Sequence, residues 1–206
     1  MPRPIDYYFS CISPWAYLGH ADFMAVAQKH ALTIAYKPLP LGRLFPETGG
    51  LPLSKRHPAR QSYRFVELQR WREKRGLDLK LQPKFWPFDP TLADRLVIAM
   101  AAQNTVENFL PQAFAAVFAG EQNLADEEVV ATLLAKAGLD AKKLIAAAKS
   151  DATAAAYDAN LAEGMACGVF GSPSYVLDGE IFWGQDRISN LDEALTSHRK
   201  AYAAVG

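Results

Sequence analysis

The chain has 206 residues, half of them hydrophobic, which is enough for one sizeable core or for one core carrying an inserted subdomain. Its 22 basic residues balance its 22 acidic ones. Neither disorder nor electrostatically driven binding to nucleic acid or membrane is suggested, and the expected partner is a small molecule.

The opening residues 1–6 lead straight into a strand-like pattern and do not resemble a secretory leader. No stretch is apolar enough to span a bilayer, so a cytoplasmic protein is expected. Residues 5–12 are rich in aromatic and β-branched side chains and read as a strand, which the following Ser13-Pro14 turns into a helix. That helix carries Trp15, Leu18, Phe23, Val26 and Ala27 at helical spacing towards His30, and 32–38 then alternates as a second strand. So short a crossover implies a parallel pair.

Proline and glycine at Pro40, Pro46, Gly49, Gly50, Pro52 and Pro58 read as an irregular loop over 39–58, long enough to suggest function. A surface helix is expected over 60–75, stopped by Gly76. A proline-rich bridge with Pro83, Pro87 and Pro90 follows. From Thr91 to about Cys167 an alanine-rich stretch reads as several helices, with breaks near Pro111, Gly120, Gly138 and Ser150. The strand pattern returns on both sides of Asp178-Gly179, a two-residue hairpin signal, and a closing helix is expected from about Ile188 to Tyr202. The order is that of an α/β chain with a thioredoxin-like fold and a large inserted all-helical subdomain. Residues 1–58 and 168–206 are assigned to the thioredoxin-like domain and 59–167 to the insertion.

The redox CxxC of thioredoxin-like proteins occupies the start of the first helix, where the helix dipole stabilises a thiolate. Here that position reads Ser13-Pro14-Trp15-Ala16, which rules out disulfide exchange through it. Cys11 and Cys167 lie far apart and read as buried small hydrophobes. His20, His30, His57 and His198 lack metal-site spacing, so no metal is expected, and no glycine-rich phosphate loop is present.

Taken alone, Ser13 reads as a helix cap; the alternative is a hydroxyl that donates to the thiol of a bound small molecule. Ser172-Pro173, directly before the hairpin, falls where thioredoxin-like folds keep a cis-proline. A cis bond there frees the Ser172 backbone to pair with an extended peptide.

Three blocks carry a resemblance over essentially the whole chain. They are Ser13-Pro14-Trp15-Ala16-Tyr17-Leu18-Gly19, then Glu67-Leu68-Gln69-Arg70-Trp71, and Gly168-Val169-Phe170-Gly171-Ser172-Pro173 running on to Phe182-Trp183-Gly184-Gln185-Asp186-Arg187. In these blocks the chain resembles the kappa-class glutathione transferases and 2-hydroxychromene-2-carboxylate isomerases.

The resemblance implies glutathione as cofactor, Ser13 as the catalytic residue that hydrogen-bonds its sulfur, and Ser172 before Pro173 as the partner of its cysteinyl backbone. It implies Gln185 and Asp186 as the polar pair for the γ-glutamyl end. Trp15, directly beside the proposed thiol site, is read from its position as lining an aromatic-substrate pocket. Family members commonly carry asparagine where Gly50 stands, and their following lysine is best matched by Arg60, with Lys55 and Arg56 as competitors. Phe45, Trp86 and Phe88 are further candidates for an aromatic pocket, or core residues.

The activity implied is glutathione-dependent isomerisation of an aromatic hydroxy acid, by a homodimer. Two alternatives stay open: a transferase that conjugates electrophiles to glutathione, and a non-catalytic binding module.

Overall fold

The computed structural model describes residues 3–203. Four strands form one mixed sheet in the order β2-β1-β3-β4, with β1 at Pro4–Phe9, β2 at Thr33–Pro38, β3 at Ser174–Leu177 and β4 at Glu180–Trp183. β1 and β2 run parallel, Pro4 opposite Thr33 and Phe9 opposite Pro38, and helix α1 (Pro14–Lys29) makes the crossover between them. β3 lies antiparallel to both β1 and β4. The Asp178-Gly179 turn has φ of 51° and 85° at its two positions, the doubly left-handed geometry that suits the twist of a tight hairpin.

β1 is buried on both faces, which accounts for its unbroken run of large side chains. Ile5, Tyr7 and Phe9 join the main core. There Tyr7 stacks on Phe9 at 4.3 Å and on Tyr175 at 5.2 Å between ring centroids. Tyr8 points the other way, into a smaller cluster with Leu39, Leu44, Leu161, Val169 and Val176.

Between β2 and β3 the chain forms α2 (Leu41–Glu47), a single 3-10 turn at Leu53–Lys55, α3 (Pro58–Arg75), α4 (Thr91–Ala101), α5 (Val106–Phe118), α6 (Glu127–Lys136), α7 (Ala141–Ala148) and α8 (Asp151–Ala166). α9 (Ile188–Ser197) follows the hairpin. Local signals set most of the ends. The His57 ring accepts the Ala59 amide, Asp126, Asp140 and Ser150 cap α6, α7 and α8, and Gly76 at φ 62° closes α3. One continuous hydrophobic cluster runs from β1 through α1 into α4, α5, α6 and α7, so the helices share the core of the sheet. Among the described residues no helix is long and apolar enough to cross a membrane.

The structure departs from the expected elements at five points. The loop expected at 39–58 holds a helix and a 3-10 turn, because Pro40 sits at the N-cap of α2, where no amide donor is needed and its carbonyl accepts the Leu44 amide at 3.0 Å, and Leu44 is buried. Pro111 does not break its helix. Phe109, Leu110, Phe114 and Val117 of α5 are buried, each contributing roughly 2 kcal/mol, and together they offset the ~3 kcal/mol that an interior proline costs. The break falls instead between α4 and α5, where Asn104 takes φ 54°. α9 stops at Ser197, before Tyr202, because His198 turns left-handed at φ 51°. Cys167 is exposed at the end of α8, whereas Cys11 is buried as expected. β1 ends at Phe9 and not Ile12, since the amides of Ser10 and Cys11 turn to side-chain acceptors.

Candidate active site

The turn between β1 and α1 opens onto a cavity of about 1180 Å³. Its other walls come from α2 and the loop after it, the first half of α3, the bridge 86–91, Tyr157 of α8, and the segment before β3 with Trp183. Ser13 lies at its floor, 4% exposed. The Ser13 hydroxyl accepts the Ala16 amide at 3.2 Å, which makes it the N-cap of α1, and donates to the Ser172 carbonyl at 3.3 Å. The Ser10 amide in turn donates to Ser172 Oγ at 3.3 Å. Two segments 159 residues apart thus meet at one serine pair.

The peptide bond between Ser172 and Pro173 is cis, and so is the one between Trp86 and Pro87. Ser172 lines the cavity; Pro173 does not, and its carbonyl accepts the Gly184 amide at 2.9 Å. Trp15, Phe45 and Trp86 are on the wall, whereas Phe88 packs against the main core. Arg60 and Arg56 are on the wall and Lys55 is not. At Gly50 a Cβ would come within 2.7 Å of the Phe45 ring, so the asparagine that the family resemblance implies there would need Phe45 to shift.

Gln185 and Asp186 are not brought to this wall. Gln185 is buried, and its carboxamide oxygen accepts Arg75 Nη2 at 2.7 Å; Arg75 also pairs with Asp22 of α1. The Asp186 carboxylate pairs with Arg187 at 2.8 Å. Arg75 therefore ties α3 to α1 through Asp22 and to the turn before α9 through Gln185, and the γ-glutamyl contact implied for Gln185 meets an oxygen already occupied.

Behind the turn stands a carboxylate that sequence reasoning missed. Asp94 of α4 is fully buried; its Oδ1 accepts the Cys11 amide at 2.7 Å, and its Oδ2 accepts the Ser10 and Tyr157 hydroxyls, each at 2.8 Å. Burial pushes its pKa up to about 6, against the lowering pull of these hydrogen bonds. Burial, then the neighbouring Asp94, holds the Cys11 thiol well above its ordinary range, so this cysteine stays neutral and inert. The one available signal for Asp94 is an acid next to the apolar stripe Ala93, Leu96, Val97 and Met100.

Arg64, Phe170 and Trp183 also line the cavity and were not foreseen; Phe170 and Trp183 pack ring to ring at 4.6 Å at its rim. Arg64 is half-buried and lies over Trp86, and burial, with Arg56 nearby, lowers its pKa to about 10.

This geometry can bind an anion or a thiol at a helix N-terminus, between a hydroxyl and a cationic, aromatic wall, and it contains no thiol pair of its own. The chain is 29% identical over 196 residues to the 2-hydroxychromene-2-carboxylate isomerase of Pseudomonas putida, covering 93% of each chain. Its identity to the isomerase of the same name from Sphingobium xenophagum is 26% over 196 residues, covering 95% of this chain and 99% of that one. A solved 2-hydroxychromene-2-carboxylate isomerase superposes with a TM-score of 0.76 at 25% identity, over 95% of both chains. The family model described as DSBA-like thioredoxin domain matches residues 4–196, sheet and helices together, and the chain belongs to that family.

Proposed function

We propose that the protein is a glutathione-dependent isomerase that interconverts an acid of the 2-hydroxychromene-2-carboxylate type and its ring-opened 2-oxo acid of the hydroxybenzylidenepyruvate type. The reaction class is supported by relatives of that name, similar over nearly the full chain. The observation that carries the glutathione reading is the Ser13 hydroxyl at the first turn of α1, on a cavity floor and facing the Ser172 carbonyl, where no cysteine of the chain is available.

The residues fit such a tripeptide. An extended peptide has a sheet-like backbone partner in Ser172, and Arg56 and Arg60 on the wall have no carboxylate partner among the described residues. Glutathione, when bound, supplies a thiol whose addition to a conjugated carbon lets a carbon-carbon double bond rotate before elimination restores it.

The chain's own residues prepare and hold that thiol. Ser13 Oγ, which donates to the Ser172 carbonyl, would donate to the sulfur of a bound thiol instead, and the N-terminal end of α1 would favour negative charge there. Ser13 remains a donor throughout and attacks nothing. Asp94 keeps the preceding turn in place through the Cys11 amide, and Trp15 flanks the reacting region.

The test is conversion of 2-hydroxychromene-2-carboxylate by purified protein with and without glutathione, with total free thiol measured throughout. The expected result is turnover only with glutathione and no loss of thiol. Thiol consumed in proportion to product would make the protein a transferase, and equal turnover without glutathione would remove the cofactor from the account.

A further inference from the structure

The first half of α3 presents two arginines one helical turn apart, Arg60 and Arg64, both on the cavity wall. Like charges at that spacing oppose helix formation, so their side-by-side position asks for an anion. The cavity offers none. Among the described residues Asp89 is the one acid on the wall, and it is engaged by the Thr91 amide and hydroxyl at 3.0 and 2.6 Å. Arg43, also on the wall, already pairs with Asp158.

Of the three wall arginines without a carboxylate partner, Arg56 already donates to the Leu51 carbonyl at 2.8 Å, and Arg60 and Arg64 differ in their surroundings. Arg60 is exposed, and among the described residues no aromatic face lies beneath its guanidinium. The Arg64 guanidinium is half-buried, 4.7 Å from the centroid of Trp86 and 5.8 Å from that of Phe65. Trp86 is itself fixed, its indole N–H donating at 2.9 Å to the carbonyl of Ile12, the residue before Ser13. A planar cation held over a planar indole, one hydrogen bond away from the proposed thiol site, suits a flat conjugated acid better than the flexible end of a peptide.

We propose that Arg64, stacked on Trp86, is the residue that receives the carboxylate of the aromatic second substrate and so selects acids over neutral analogues, while Arg60 serves glutathione. The inference rests on the reading of the cavity as a site for glutathione and an aromatic acid. Arg64 determines specificity by a bidentate hydrogen bond to the carboxylate and takes no part in bond making.

The test uses tryptophan fluorescence on glutathione-free protein titrated with cinnamate and with its neutral counterpart cinnamide, alongside calorimetric titration of glutathione. Wild-type protein is expected to bind cinnamate about tenfold or more tightly than cinnamide, the worth of one charge-assisted pair. Arg64→Met reduces that preference to within about twofold and leaves glutathione affinity unchanged, and Arg64→Lys keeps part of it. Arg60→Met does the reverse, weakening glutathione and sparing the cinnamate preference. Arg64→Gln gives the same readout should the methionine variant fail to fold.

A wild type that binds both probes equally would overturn the assignment. So would a folded Arg64→Met or Arg64→Gln protein that keeps its preference, or one that loses glutathione and cinnamate together. Absence of glutathione binding in the wild type, with the cinnamate preference intact and lost in Arg64→Met, would remove the proposed cofactor and leave the Arg64 assignment standing.

Discussion

Asp94 is the residue whose chemistry departs furthest from its type. A carboxyl group with an ordinary pKa of 3.8 titrates at about 6 in the fold, so the native state holds this proton more tightly than the unfolded chain does. Its contribution is therefore most favourable below about pH 4, and stability is lost as pH rises through the window from 3.8 to about 6, by on the order of 2 to 3 kcal/mol in total. Asp94→Asn, which does not titrate, should lack this slope. Urea unfolding of both proteins from pH 4 to 7 should show the wild type losing its advantage by that amount, and parallel curves would contradict the burial argument.

Gln185 also has its role set by its surroundings. With its oxygen on Arg75 inside the fold, Gln185→Leu leaves the guanidinium short of an acceptor and should cost about 1 to 3 kcal/mol in unfolding free energy, with glutathione affinity unchanged. Weakened glutathione binding at unaltered stability would return Gln185 to the ligand contacts that the family resemblance implies.

At the scale of elements, local chemistry was legible and long-range partnership was not. Ser13-Pro14 caps α1, Gly76 ends α3 and Asp178-Gly179 turns the hairpin, all as their own side chains and φ preferences dictate. The turn allows a clean test. Gly179 sits at φ 85°, and a Cβ there would meet nothing within 4 Å, so Gly179→Val should destabilise through the backbone alone, by roughly 1 to 2 kcal/mol in chemical denaturation. An unchanged midpoint would mean that the turn relaxes to another type.

What could not be read locally came from packing. Pro111 is carried inside α5 by the apolar face around it, and α2 forms in a proline-rich stretch because Leu44 finds the smaller core. Asp94 reaches Ser10 and Cys11 across more than eighty positions, and Arg64 finds Trp86 through the meeting of α3 with the bridge. Spacing in the chain carries no trace of such encounters.

For the molecule as a whole, the β-α-β start, the hairpin return and the closing helix fix where the helical segment must fold back, and with it the wall opposite Ser13. The turn after β1 and the segment before β3 line one side of the cavity, and α2, α3 and the bridge line the other. In the proposed reaction the same division holds: the turn after β1 and the segment before β3 hold the thiol, while α3 and the bridge hold the acid. On that proposal a chain without a CxxC keeps a use for the scaffold, since a helix N-terminus that stabilises its own thiolate can stabilise a borrowed one.

The most direct test of that claim is the absorbance of thiolate near 240 nm as pH is varied for glutathione bound to the wild type and to Ser13→Ala. Bound glutathione should ionise at clearly lower pH than free glutathione. The alanine variant should shift that titration back upward, with turnover lowered by about 10²-fold, as for the loss of one anion-stabilising donor. Coincident titrations of the two proteins, or of bound and free glutathione, would contradict it and return Ser13 to the task of a helix cap.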